Sequence, residues 1–543
     1  MSGGSSYVQY RPLRAPRQDR ETLVEPPWNE VSGLVAENVR RRSQCRYDFQ
    51  GRTLAQLLQQ AREELLQQAY AWTTSYRDVE RRAMKPQGLV FLSGHQPELF
   101  HPGVWFKNFA LAGLAARHGA TAVNLIIDSD AFKQGAVRVP GGPAASPHVA
   151  AVPLDVPGPN VPYEERSILD RRVFAEFGSR AAAQLAGLVS APLVSRFWPL
   201  AIGRMRETDR LGACLAQARH QLEAQWGLAT LEVPQSQVCE TESFAWFCCH
   251  LLAHLPRLHA TYNGLLARYR AAHRIRSAAH PVPDLAADGP WLEAPFWVWN
   301  AENPKRRRLF ARQQGSQLLL ADGDQWGACL PLSREGELNR AVTHLLELAQ
   351  RGVKIRSRAL VTTLWARLVL GDLFLHGIGG AKYDQVTDAL MAELFGLEPP
   401  RFMVLSATLL LPVPRPRVTV DDLRAVRQRL RELTYHPERF LANSPWTLPD
   451  GRDGPAALAA AKLRWVHTPK TRENARLRHQ EIRRVNEALQ AWLEAERRRT
   501  AEREKLVRAA LCAETVLSSR EYSFCLYPEE LLRDFFFGLL AGI

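Results

Sequence analysis

The sequence lacks the long apolar runs that membrane insertion and secretion require. No stretch of the 543 residues approaches the run of roughly 18 apolar residues expected of a transmembrane helix. The opening segment, MSGGSSYVQYRPLRAPRQDR, has no apolar core of the kind found in signal peptides. We therefore expect a cytoplasmic protein with no membrane partner.

Cysteine is scarce and shows no metal-binding or disulfide pattern. The eight cysteines are scattered along the chain, and no two of them form a CxxC pair. Zinc sites and disulfide frameworks depend on such paired spacings, so we expect free thiols in a reducing compartment and no metal site. The GxSxG, HExxH and protein-kinase signatures are missing as well.

Basic residues exceed acidic ones, and the formal net charge is +14. Such an excess is typical of proteins that bind nucleic acid or an anionic substrate carrying phosphate or carboxylate. It is equally typical of a chain that uses arginine as its ordinary solvated cation. The basic residues are dispersed and no aromatic-basic signature of an RNA-binding module is present, so a nucleic-acid partner is not expected.

The stretch GLVFLSGHQPELFHPGVWFKN, residues 88–108, begins a strand, loop, helix, strand pattern. The apolar run in 88–93 predicts a strand covered on both faces, and 105–117 predicts a helix closed by a glycine. A second apolar run predicts a strand over 121–127. We expect the two strands to lie parallel and side by side, with polar residues at the carboxyl edge where open α/β sheets bind ligands.

Six residues of the first loop are candidate site residues. Histidine there can donate to a phosphate or act as a general acid, and a lysine near a helix start attracts anions. The alternative is that these polar groups only cap buried backbone. The candidates are Gly94, His95, Gln96, His101, Lys107 and Asn108.

Two carboxylates, Asp128 and Asp130, follow the second strand. They could coordinate Mg²⁺ or hold an ammonium or hydroxyl group of a substrate. Metal binding is the weaker interpretation because no third carboxylate stands nearby in the sequence. The alternative is a turn in which Asp130 faces solvent.

The stretch GDLFLHGIGGAKYDQVTD, residues 371–388, is the second candidate loop. Glycines allow close backbone approach to a ligand, and the exposed amides of such a loop can bind an anion. The spacing matches neither dinucleotide-binding nor P-loop motifs. A tight turn between two helices is the alternative. The candidates are His376, Gly377, Gly379, Gly380, Lys382, Tyr383 and Asp384. We expect both loops and the Asp128–Asp130 turn to line one concave pocket.

The chain as a whole predicts four segments. Residues 1–80 form an arm and a helix, and 81–415 form an α/β core with a helical insertion at about 170–290 and helices near 339–349 and 360–375. Apolar stripes of matching period predict an antiparallel coiled-coil arm over 416–515, which would permit a homodimer. Residues 516–543 would pack on the core. The stripes are Leu423, Val426, Leu430 and Leu433 on a helix capped by Thr419, and Ile482, Val485, Leu489 and Trp492 on a helix running from about Thr471 past Leu506.

Several stretches resemble segments of the bacillithiol biosynthesis cysteine-adding enzymes, the BshC family. SGHQPELFHPGVWFKN resembles that family's TGQQ-x-GLF-x-GP…YK segment, and DSDAF (128–132) resembles its EDHDF. GIGGAKYD…FGLEPPRFMVLSATLLLP (377–412) resembles its second glycine-rich region. Ser357-Arg358-Ala359-Leu360 sits where the family carries its LRP segment, which adds Arg358 to the candidates.

The chain also departs from that family. His95 replaces the first glutamine of the pair, and Lys107 comes about two residues early. Ile127 and Ser129 replace the Glu and His of EDHD, while both aspartates remain. In the glycine region, Ala381, Lys382 and Asp384 replace the family's Pro-Gly and Glu.

The resemblance implies a Rossmann-like core with helical connecting segments and a coiled-coil arm. The family joins cysteine to the amino group of glucosaminyl malate. Amide formation needs an activated carboxylate, so ATP or another adenine nucleotide is the expected cofactor. His95, His101 and Lys107 would face phosphate or developing negative charge, and Asp128 and Asp130 the amine. The rival hypothesis is a non-catalytic nucleotide- or partner-binding protein on the same core.

Overall fold

The computed structural model describes residues 7–79, 87–133, 135–441, 443–444, 446–450 and 453–542. The predicted boundary at residue 80 lies outside these ranges. The strands of the described residues, numbered in chain order, are β1 (Thr22–Glu25), β2 (Val90–His95), β3 (Thr121–Ile126), β4 (Ala136–Gly141), β5 (His148–Pro153), β6 (Leu231–Pro234), β7 (Ala287–Asp288), β8 (Trp291–Trp299), β9 (Arg307–Gln314), β10 (Gln317–Ala321), β11 (Gly327–Leu330), β12 (Lys354–Ser357), β13 (Leu373–His376) and β14 (Met403–Ala407).

The helices of the same ranges account for most of the remaining regular structure. They are α1 (Val31–Gln44), α2 (Leu54–Thr74), α3 (Pro102–His118), α4 (Arg171–Leu185), α5 (Val194–Glu207), α6 (Leu211–Gln225), α7 (Gln235–Val238), α8 (Glu242–Ala253), α9 (Leu255–Ala272), α10 (Asn339–Gln350), α11 (Ala359–Trp365), α12 (Ile378–Phe395), α13 (Val420–Tyr435), α14 (Pro455–His467), α15 (Ala475–Trp492), α16 (Glu494–Leu517) and α17 (Glu529–Leu540). Within the described ranges, no helix combines the length and the apolar character that a membrane crossing requires.

A mixed α/β fold is built on a six-stranded sheet with the order β1-β14-β13-β2-β3-β6. The five strands from β14 to β6 run parallel, and β1 pairs antiparallel with β14 at one edge. β2 and β3 are buried along almost their whole length, as expected for parallel strands covered on both faces. The predicted parallel pairing of these two strands is confirmed, and α3 connects them.

A second sheet has the order β11-β10-β9-β8-β12, and its neighbouring strands are antiparallel. The strand-like runs expected over 291–320 correspond to β8, β9 and β10. The inner faces of this sheet contribute buried apolar residues to the same core as α8 and α9.

One assignment made from the sequence is wrong, and another is incomplete. The helix expected over 360–375 ends in a π-helical turn, Ala366–Leu370, and β13 follows as a central strand of the parallel sheet. The mainly helical segment from 170 onward contains β6, an edge strand of that sheet. Short apolar runs in fully buried strands have no alternation, so periodicity cannot separate them from buried helix.

The chain divides into two units. The larger comprises the described residues up to Val139, Ala151–Leu410 and those from Arg520 onward, and the smaller comprises Pro140–Ala150 and Leu411–Ser519. In the larger unit, Phe536 of α17 stacks on Phe109 of α3 with ring centroids 4.2 Å apart. The C-terminal segment is therefore part of the core of the larger unit.

The smaller unit contains α13, α14, α15 and α16. Thr419 and Asp422 form a capping box at the start of α13, and Leu433 packs with Val485 and Leu489 in a buried cluster. The long helix expected from 471 is divided at Leu493 into α15 and α16, and Trp492 is 49% exposed rather than part of the apolar stripe.

Candidate active site

The strand order of the parallel sheet reverses between β2 and β13. From β2 the chain adds β3 and then β6 on one side, and later returns to add β13 and β14 on the other. In an open α/β sheet, the crevice outside the carboxyl ends of the strands at such a reversal is the usual ligand-binding position. His95 ends β2 and His376 ends β13, so both loops begin at this position.

His95 is a buried, uncharged histidine. Its Nε2 lies 3.0 Å from Asn108 Oδ1, while Asn108 Nδ2 donates to Glu223 Oε1 at 2.7 Å. Since the Asn108 amide nitrogen faces a carboxylate, its oxygen accepts from Nε2–H of His95. Burial, together with the positive charges of Arg219 and Lys107, holds the pKa of His95 well below its usual value. The side chains of His95 and Asn108 are therefore both engaged by protein groups.

His101 caps the helix that connects β2 and β3. Its Nδ1 accepts a hydrogen bond from the Gly103 backbone N–H at 3.1 Å, and Pro102 occupies the first helical position. Burial lowers the pKa of His101 to about 3, with smaller effects from Arg520 and Lys107. This is the capping role that stood as the alternative to a catalytic one.

Lys107 is a buried amine at the crevice. Its Nζ donates to the Gly94 carbonyl oxygen at 2.7 Å, and no carboxylate of the described residues lies within 4.0 Å. Burial lowers the pKa of Lys107 to about 7. Its charge also lowers the pKa of both His95 and His376, so it lies near the ends of β2 and β13 alike.

Asp128 lies just beyond the end of β3 and is held by the helix that follows β6. Its Oδ1 accepts from the Ser236 backbone N–H at 2.9 Å and its Oδ2 from the Ser236 hydroxyl at 2.5 Å. Burial raises the pKa of Asp128 to about 7, and the negative charge of Glu164 adds to this. Asp128 lines a cavity of about 200 Å³ whose other walls include Tyr163, Glu164 and Arg210.

Asp130 connects the first loop with the second sheet. Its Oδ2 accepts from Gln96 Nε2 at 2.8 Å and its Oδ1 from Arg306 at 2.8 Å. The Arg306 guanidinium lies 4.7 Å from the ring centre of Trp297, and that of Arg358 lies 4.5 Å from the same ring. Arg358 itself forms a buried ion pair with Glu293 of β8. The carboxylate of Asp130 is 42% exposed and can still meet a ligand.

The second candidate loop is the first part of a helix. α12 begins at Ile378 with Gly377 as its N-cap, so Gly379 and Gly380 have helical neighbours on both sides. The expectation of an irregular glycine loop is therefore wrong. A Cβ on Gly380 would come within 2.6 Å of His376 Nδ1, which explains why this position has no side chain.

His376 and Asp384 belong to a buried ionic network. His376 Nε2 lies 2.8 Å from Asp384 Oδ2, and Arg367 donates to the same carboxyl oxygen at 2.5 Å. The charges of Arg367 and His376 hold the pKa of Asp384 well below its usual value against the opposing effect of burial. Lys382 is exposed, and Tyr383 is partly buried with its pKa raised to about 12 by burial, then by Asp384 and Asp130.

The three predicted segments are neighbours in the larger unit. Gln96 bonds Asp130 directly, the charge of Lys107 acts on His376, and that of Asp130 acts on Tyr383. The cavity that Asp128 lines is bounded by residues of β3, β6 and α6. A single concave pocket shared by all three segments remains a prediction.

The sequence did not point to a buried charge cluster beside this site. Arg219 donates to Glu223 at 2.6 Å and to Glu232 at 2.5 Å, and Glu223 also accepts from Asn108. Ligand atoms of His220, Glu223 and Glu232 lie within 4.8 Å of one another, as in a metal site. The guanidinium of Arg219 already supplies the cation between the two carboxylates. Recognition of β6 as a strand would have placed Glu232 here.

Comparisons with known proteins give no match for this chain, either among protein-family models or among curated proteins. The resemblance to the BshC family therefore depends on the short motifs alone.

Proposed function

We propose that the protein is a ligase resembling the BshC family, which joins an amino acid to an amine-bearing small molecule at the carboxyl edge of the parallel sheet. Cysteine is the amino acid that the resemblance implies. The observation that carries the proposal is the cavity beside β3, where a carboxyl group with a pKa of about 7 faces a space of about 200 Å³.

The chemistry of amide formation needs a proton acceptor of this kind. The amine nitrogen attacks the carbonyl carbon of an activated carboxyl group, a C–N bond forms, and the C–O bond to the leaving group breaks. The nitrogen must lose a proton, and Asp128 with a pKa near neutrality is suited to accept it. Ser236 holds both carboxyl oxygens, so the side chain of Asp128 is oriented before substrate arrives.

Lys107 and the start of α12 are the groups that would hold an anionic part of the substrate or cofactor. Helix N-termini attract anions, and a Cβ placed on Gly377 or Gly379 would have no atom within 4 Å, which leaves room for a phosphate. These residues fit a nucleotide phosphate group. A bound nucleotide would supply the activation of the carboxylate.

The finer details of the architecture belong to the same proposal. A Rossmann-like core is part of the proposal, and the strand order supports it: β2 comes first, β3 and β6 extend one side of the sheet, and β13 and β14 extend the other. In the smaller unit, Arg427 of α13 pairs with Glu504 of α16, and Arg429 lies 3.7 Å from Glu496. The residue numbers of the partners increase along α13 and decrease along α16, which supports an antiparallel coiled-coil arm.

The proposal is tested with purified protein supplied with ATP, cysteine and glucosaminyl malate, the product being measured by mass spectrometry. Asp128→Asn should lower the rate by at least about 100-fold, the size of effect typical of general bases. Because the base must be ionised, the wild-type rate should rise with pH up to about 7 and then level off. Glu176→Gln, on the exposed surface of α4, is the matched control and should retain the wild-type rate.

A deletion strain separates this reaction from others. An unchanged pool of low-molecular-weight thiols would remove bacillithiol-type synthesis from consideration. A substrate survey with other amino acids would then decide whether the ligase proposal itself survives.

The second candidate function is non-catalytic binding on the same core. It is favoured by the local hydrogen bonds of His95 and His101, which leave neither imidazole in the position of an unengaged acid or base. Calorimetric binding of ATP without turnover of any amine would support this alternative over the ligase.

A further inference from the structure

A large cleft lies in the larger unit, away from the sheet edge. It has a volume of about 680 Å³, within the range of roughly 300–1,000 Å³ that small-molecule sites occupy. Its floor is apolar and buried, and is formed by Leu252, Leu255, Ala311 and Leu318. These residues come from the α8–α9 junction and from the second sheet.

Three arginines line the same cleft, at Arg257, Arg312 and Arg334. Among the described residues none of them has a carboxylate within 4.0 Å. Arg257 donates to the Glu393 carbonyl oxygen, and the Arg312 guanidinium lies 5.0 Å from the ring centre of Trp291. Glu335 is the one acidic side chain that the described residues contribute to the lining of the cleft. Positive charge is therefore in excess beside an apolar floor.

The start of α9 adds to this field. Leu255, Pro256 and Arg257 form its first turn and line the cleft, and no side chain caps the helix. The N-terminal end of a helix of 18 residues carries a partial positive charge. The cleft therefore combines an apolar floor with guanidinium groups that have no carboxylate partner and with a helix N-terminus. These features suit a ligand that has an apolar body and a negative charge.

The cleft is distinct from the candidate active site. Arg257 bonds Glu393 in the last turn of α12, whereas the sheet edge lies at the first turn of that helix. The intervening helix is roughly 20–25 Å long at about 1.5 Å per residue. A ligand small enough to fit within the cleft would therefore not reach the sheet edge.

We propose that this cleft binds a small amphipathic organic acid, with an aryl or alkyl body on the apolar floor and its carboxylate or equivalent anion at the arginines. The site is independent of the ligase reaction, so either assignment can fail without the other.

The test is calorimetric titration of the full chain with three probes of the same body and different head groups. They are 2-naphthoate, 2-naphthol and 2-naphthylmethylammonium. Naphthoate should bind with one-to-one stoichiometry, and the neutral and cationic probes at least about tenfold more weakly, as expected when one charged hydrogen bond is lost. Equal affinity for the three probes, or no binding of naphthoate at millimolar concentration, would overturn the proposal.

Variants locate the bound probe. Arg257→Gln combined with Arg334→Gln should weaken naphthoate by about tenfold or more, and Leu318→Trp should block it by filling the floor. Arg351→Gln, at an arginine 75% exposed on another surface, is the control and should bind like wild type. The two exposed arginine changes keep the test valid if Leu318→Trp does not fold. Loss of binding in Asp128→Asn, with both cleft variants unaffected, would place the ligand at the sheet edge and refute the site.

Discussion

At the scale of single residues, the candidate site is dominated by buried groups whose pKa values have moved. Burial lowers the pKa of Lys107 to about 7 and raises the pKa of Asp128 to about 7. Burial and the neighbouring cations Arg219 and Lys107 hold the pKa of His95 well below its usual value. Burial also lowers the pKa of His376, against the opposing negative charge of Asp384. Since perturbed pKa values concentrate at functional sites, Lys107 and Asp128 are the residues on which experiments should focus.

The buried amine of Lys107 should make stability depend on pH. Its pKa is about 7 when folded against 10.5 as the ordinary value, so between these values the unfolded chain binds more protons. The contribution of Lys107 to the free energy of unfolding therefore increases by about 1.4 kcal/mol per pH unit as the pH rises above 7. Below pH 7 this contribution does not change with pH. Relative to Lys107→Met, the wild-type free energy of unfolding should gain about 2 kcal/mol between pH 7.5 and 9.5.

Urea denaturation of the two proteins across that range measures the effect. Lys382→Met removes an exposed lysine and should give a curve parallel to wild type. Parallel curves for Lys107→Met as well would mean that Lys107 is solvated, and its assignment to the crevice would have to be withdrawn.

At the scale of elements, the start of α12 shows how a glycine can serve packing rather than a loop. A Cβ on Gly380 would clash with the His376 ring, whereas a Cβ on the neighbouring Gly379 would meet no atom within 4 Å. Both glycines are in α12, so they differ only in the space that is available for a side chain.

Substitution of these two glycines by alanine should give opposite results. Gly380→Ala forces a Cβ to 2.6 Å from His376 Nδ1 and should destabilise the fold by about 1–3 kcal/mol. Gly379→Ala meets no atom within 4 Å and should stabilise it by roughly 0.5–1 kcal/mol, because alanine is the better helix former. Chemical denaturation compares them, and an equal effect of both changes would contradict this account of α12.

At the scale of the whole molecule, segments far apart in the sequence build the larger unit. β1 pairs with β14, and α17 near the chain end packs on α3. Phe524 places its ring 4.3 Å from that of Trp105. The described N- and C-terminal segments are therefore structural parts of the larger unit.

The C-terminal helix should contribute strongly to stability. Phe536 is fully buried against Phe109, and Phe536→Ala should cost about 3–5 kcal/mol in the free energy of unfolding. Phe537, the adjacent residue, is 37% exposed, so Phe537→Ala serves as the control and should cost much less. Thermal and urea unfolding provide the readout, and a small loss in Phe536→Ala would show that α17 is detached in solution.

The sequence alone determined the features that depend on local patterns. The paired strands β2 and β3, their connecting helix, a helix within residues 1–80 and the capped start of α13 all follow from apolar runs and capping residues near one another in the chain. The sequence also predicted polar residues at the carboxyl edge of the parallel sheet. It could not separate β6 and β13 from helix, because buried strands share the apolar composition of buried helices.

Only the tertiary structure decided which of the polar residues are engaged and by what. Asp128 is held by Ser236, His95 is linked through Asn108 to Glu223, and Asp130 is paired with Arg306. Most of these partners lie more than 100 positions away, and burial, which shifts each pKa, arises only when the chain has closed around the group. Neither the distant partners nor the burial can be read from composition or motif spacing. The chemistry of the site is therefore determined by the tertiary fold and not by the motifs.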